Sequence, residues 1–187
     1  MAFFNNKKGK YMSKSKNNRT KWIITVTFLA FFISFIFSFG SNIVMPKVNL
    51  FIGIFILLLF IVIGIIFDMI GASSLTSKEA TFHSMSSKKI KGAKETIKLI
   101  KNNAKVSSVC NDIVGDICGI ISGGLGAVLA ISIANATEVN IGLISVITAA
   151  VISSLTVGGK AIFKSIAIKN SDKIIFSVGK FVSIFKK

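Results

Sequence analysis

Apolar and charged positions separate along this chain instead of mixing. Runs at 22–39, 50–67 and 139–156 carry no charge and are dense in Ile, Leu, Val and Phe. A fourth, at 111–133, is glycine-rich and carries only Asp112 and Asp116 at its start. Each approaches the roughly 20 residues that cross a bilayer as a helix. At 84–104, Ile90, Ala93, Ile97, Ile100 and Ala104 recur at the 3/4 spacing of one helical face. Lys88, Lys89, Lys91, Lys94, Lys98 and Lys101 fill the other faces, and Lys91 and Glu95 are spaced to pair. Residues 160–187 place lysines over an Ile/Phe background, with Ser171-Asp172 as a helix start. The polar turn Asn135-Ala136-Thr137-Glu138 makes the last two runs a helical hairpin. The pattern predicts an all-α integral membrane protein with four transmembrane helices. Juxtamembrane and interfacial amphipathic helices are expected at 84–104 and 160–187.

Composition agrees with that reading. The 187 residues are 52% hydrophobic, yet the net charge is +16. A soluble domain is rarely so apolar and so basic at once. Residues 1–21 hold seven positive charges and no acid, a basic cytosolic tail. With four spans, the tail, the central loop and the C-terminal part carry every Lys and Arg except Lys47, which lies beside the only proline, Pro46. Positive charge stays on the cytosolic side, so both termini are expected inside, in a cell membrane. Such basic helices lie on the anionic inner leaflet. Trp22 marks the edge of the first span, for which a cleaved signal ending at Ser38-Phe39-Gly40 is the rival reading. Ten of the 17 Phe lie within the apolar runs, unlike the basic–aromatic mixture of a nucleic-acid surface. Cys110 and Cys118 are spaced to point apart on one helix and read as small buried residues. Lone His83 and scattered serines form no nucleophile–base spacing, so no enzyme is expected.

The polar residues concentrate at the ends of 73–123, read as a cytosolic turn re-entering the membrane. Ser107, Asn111, Gly115, Gly119 and Gly123 follow every four residues and form one stripe. Beside it run Ser108, Asp112 and Asp116. The glycines suit close helix packing. Ser, Asn and Asp oxygens near a span's end suit either an interfacial polar collar or a hard cation. Asp68, closing the second run, has the same two readings.

The order of elements resembles the transmembrane domain of the CorB/CorC and cyclin M (CNNM) family of magnesium transporters. The likeness covers about 50–187, with 22–39 as an added span. The family motif Phe-Ser-Gly-x-Glu-x-Ala is echoed by Leu75-Thr76-Ser77-Lys78-Glu79-Ala80-Thr81, which keeps the Glu and shifts the small residues. Its Ser-x3-Asn is matched by Ser107 and Asn111. Its Gly-Glu-x-x-Pro-Lys followed by Ala compares with Gly159-Lys160-Ala161-Ile162-Phe163-Lys164 and Ala167, where Lys160 and Phe163 replace Glu and Pro. The resemblance implies a Mg²⁺ (or Co²⁺) transporter, Na⁺-coupled and dimeric. Thr76, Ser107 and Asn111 would give side-chain oxygens, Gly159 a carbonyl, and Glu79 would complete or gate the site, with Asp112 alongside. The family's CBS pair would follow Lys187, so ATP regulation is not implied, and a separate cytosolic partner could take its place. Lys160 favours the alternative, a non-transporting membrane scaffold or regulator that keeps the fold. A small membrane-perturbing toxin or holin would explain the basic C-terminus but not the ordered polar stripes.

Overall fold

A computed structural model describes residues 23–40, 43 and 49–185. The basic tail, Trp22 and most of the first loop lie outside them. The described residues are helical, with no strand among them. Their helices are α1 (Ile23–Gly40), α2 (Leu50–Thr76), α3 (Glu79–Ser87), α4 (Ala93–Lys101), α5 (Asn103–Ser107), α6 (Asp116–Thr137), α7 (Ile141–Lys169) and α8 (Ser171–Ile184). A π-helical turn, Ser108–Gly115, joins α5 to α6, so Asn103–Thr137 runs as one helix. Four helices are long and apolar enough to cross a membrane: α1, α2, Asn103–Thr137 and α7.

The centre is a bundle of α2, α6 and α7. Leu57, Ile61 and Ile65, one turn apart on α2, bury against Ile117, Ile121, Leu125, Val128 and Leu129 of α6. Small residues set the closeness of the crossings. Gly126 leaves room for Ile152, Gly159 for Ile65, and Gly64 for Cys118. Such sites let helices approach when lipid removes the hydrophobic drive for association. Helix α1 lies at the edge, touching the bundle through Ile33 and the Phe37–Phe60 ring pair.

Both central helices outrun their apolar cores. Helix α2 continues nine residues past Phe67 because Gly71, Ala72, Ser73 and Ser74 are buried by neighbours. Helix α7 passes through Gly158-Gly159-Lys160 without a break and ends at Lys169. The hairpin turn falls at Glu138, left-handed at φ 56°, and Asn140 caps α7 by accepting from the Gly142 N–H. Cys110 and Cys118 are buried free thiols.

The amphipathic stretch 84–104 is two helices and the start of a third, not one. Helix α3 ends in a Schellman arrangement: Lys89 is left-handed (φ 55°), its N–H bonds Ser86 O, and the Ile90 N–H bonds Met85 O. Gly92 (φ 88°) then opens α4. Lys91 precedes that turn, and no Lys91–Glu95 ion pair forms among the described residues. The apolar face of α4 buries Ala93, Thr96 and Ile100. Phe82, Ile100 and Ile175 form a second core joining α3, α4 and α8, with Phe82 stacked on Phe176 at 6.0 Å. This cap also packs on α2 through α8.

Candidate functional site

The π-helical turn is where the sequence-predicted polar residues meet the bundle. A π-turn widens the helix and is often found at functional sites. Within the turn the four-residue pairs still meet, Asn111 with Ser107 and Asp112 with Ser108. The turn packs against α2 at Gly71. A Cβ at that glycine would overlap the Asn111 amide, so only a bare Cα lets Asn111 lie there. Asn111 Nδ2 donates to Ser107 Oγ at 3.3 Å, and Ser107 is buried. Asn111 Oδ1 is buried with no hydrogen-bond partner. Leaving such a group unmade costs about 1–3 kcal/mol.

Helix α2 carries two more orphans. Ser73 (0% exposed) and Ser77 (8%) have buried hydroxyl oxygens without partners. Ser74, between them, donates to Gly71 O at 2.8 Å. In the sequence, Ser73 and Ser77 fall in the polar end of 73–123 without standing out as ligands, and nothing marks Gly71. The four-residue spacing of Ser73 and Ser77 was the available signal.

The other expected ligands lie elsewhere. Thr76 is exposed, and its hydroxyl donates to Ala72 O at 3.0 Å in its own helix. Glu79 pairs with His83 at 2.9 Å and Lys101 at 3.3 Å, tying the start of α3 to the end of α4. Asp112 is exposed and accepts from the Ser108 hydroxyl at 2.6 Å. Gly159 sits within unbroken α7, against the Ile65 side chain. Its neighbour Lys160 is placed by α7 at the far end of the π-turn, where a Cβ on Gly115 would lie 3.7 Å from Nζ. Among the described residues no group of three or more His, Cys, Asp or Glu is placed to hold a metal.

No protein-family model, curated protein or solved structure matches the chain.

Two features limit what this junction can do. Its donors, Ser107 Oγ and Asn111 Oδ1, are neutral oxygens, which suit a hard cation but supply no charge. The Lys160 ammonium at the end of the π-turn opposes a second positive charge. Gly119 and Gly123 are not used in packing among the described residues: a Cβ at either would meet nothing within 4 Å. Gly123 instead lines an open cleft of about 280 Å³ between α6 and α7, with Gly126, Ala127, Ser145, Ala149 and Ser153.

Proposed function

We propose that this chain is the membrane module of a divalent-cation transporter, carrying Mg²⁺ or Co²⁺ past the contact between α2 and the π-turn. The reading takes α1, α2, Asn103–Thr137 and α7 as four spans, with both termini cytosolic and Lys47 outside. One observation carries it: Asn111 Oδ1, an acceptor buried without a donor, lies against Gly71 of α2 at a helical irregularity, in an amide whose Nδ2 donates to Ser107. An unpaired buried carbonyl oxygen is expensive unless something fills its lone pairs, and a cation does that. The resemblance to the CorB/CorC and cyclin M family supports the same pair. It adds a homodimer and Na⁺ coupling to the proposal. Ser73 and Ser77 join the candidate oxygens in place of Thr76.

A second reading, a non-transporting scaffold or regulator, is favoured by Lys160. An ammonium against Gly115 already places a cation at the end of the π-turn, and Glu79 is engaged by His83 and Lys101. Uptake of Mg²⁺ into proteoliposomes holding the full chain separates the two. Flux that is lost in Asn111→Ala supports transport. Absence of flux from folded, inserted protein supports the scaffold.

A further inference from the structure

We propose that the outer face of α8 is a docking surface for an anionic phospholipid leaflet, with α8 rather than α4 as the helix that enters it. The proposal rests on the reading of the chain as a multi-pass membrane protein.

Of the two amphipathic helices, α4 has no apolar face to spare. Ala93, Thr96 and Ile100 are buried in the cap, and Gly179 of α8 is so close that a Cβ there would overlap the Thr96 hydroxyl. Helix α8 spends Ile175 and Gly179 on that contact. It keeps a second apolar stripe. Ile174, Val178, Phe181 and Phe185 follow at spacings of four, three and four, which places them on one helical face away from Ile175 and Gly179. The stripe ends in Phe181 (62% exposed), Ile184 (69%) and Phe185 (76%), with the two rings 5.0 Å apart.

Charge identifies the occupant. From Ser171 to the end of the chain there are four lysines, Lys173, Lys180, Lys186 and Lys187, against the single acid Asp172. Asp172 accepts from the Thr81 hydroxyl at 3.3 Å. Lys180 lies 4.6 Å over the Phe176 ring, which stacks on Phe82 of the cap. An apolar stripe with lysine flanks is how a helix seats at the boundary of headgroups and acyl chains. Position agrees. At 1.5 Å per residue α7 is about 43 Å long against about 30 Å of hydrocarbon. Its lysine-bearing end therefore stands in the headgroup zone, and α8 starts there.

The test uses the full chain in vesicles, with Trp22→Phe removing the only native tryptophan. Phe185→Trp reports on α8 and Leu155→Trp on the span α7, read with lipids spin-labelled near the headgroup or deep in the chain. The expected result is shallow quenching of the α8 reporter, about twofold stronger when phosphatidylglycerol is added to phosphatidylcholine. Lys173→Gln with Lys180→Gln should remove that difference. Several results overturn the proposal while the span reporter stays deeply quenched. One is an α8 reporter open to aqueous acrylamide. Another is quenching equal in both lipids. A third is shielding from lipid and acrylamide alike that fades as protein is diluted in lipid, which assigns the face to a second protein chain. If the span reporter is not quenched at depth, the membrane reading itself fails.

Discussion

Gly71 of α2 lies directly beneath the amide of Asn111, and a single methyl group at that glycine would occupy the place of Asn111 Oδ1. The pair locks α2 to the π-turn that precedes α6. It fixes where an unpaired acceptor sits in an apolar bundle.

Gly71→Ala should destabilise the protein in detergent by about 1–3 kcal/mol, the usual cost of overpacking. All three nearest atoms belong to the Asn111 side chain. Adding Asn111→Ala should therefore recover most of the loss, a coupling that thermal unfolding of the double-mutant cycle would show. Additive losses would mean the contact is not as described.

Gly179→Ala should behave in the opposite way. A Cβ there meets the Thr96 hydroxyl, but also Gly92 O at 2.9 Å and Thr96 N at 3.0 Å. Backbone cannot step aside, so Thr96→Ala should not rescue it. Limited trypsin digestion would read the result as faster cutting at Lys173 and Lys180.

Lys89 pays for its left-handed φ of 55° at the end of α3. Lys89→Gly should stabilise the cap by about 0.5–1 kcal/mol, the relieved strain less glycine's extra freedom when unfolded. A fall in melting temperature would contradict the Schellman ending.

Glu79 gives a test against the site implied by family resemblance. Its partners His83 and Lys101 are more than half exposed, and exposed pairs contribute about 0–1 kcal/mol. Glu79→Gln should leave stability within that range and leave any Mg²⁺ response in place. Loss of the response would return Glu79 to the ion path.

The helices long enough to span were legible because charge-free runs of this length leave few alternatives to a helix. Their ends were not. Asp68 and Lys160 look like terminators by hydropathy, but both lie inside helices whose neighbours pack past them. The break between α3 and α4 was hidden because the apolar 3/4 spacing runs unbroken from Ile90 across it, although Gly92 marks its far side and Lys89 its near one. Ser107 and Asn111 were legible as a pair, since their four-residue spacing brings the two side chains into a hydrogen bond. Asp112 follows from the same four-residue spacing and does meet Ser108, but that pair lies on the exposed side of the turn. Thr76 ends α2 and is exposed, whereas Ser77 follows it in extended backbone and is buried.

The most direct test is the effect of Mg²⁺ on the melting temperature of the purified full chain in detergent, wild type beside Asn111→Ala. A ligand that binds only the folded state adds about 2.7 kcal/mol at a hundredfold excess over its dissociation constant. The proposed site predicts a Mg²⁺-dependent rise in wild type that Asn111→Ala abolishes while remaining folded. No rise in wild type, or an equal rise in both, would contradict it.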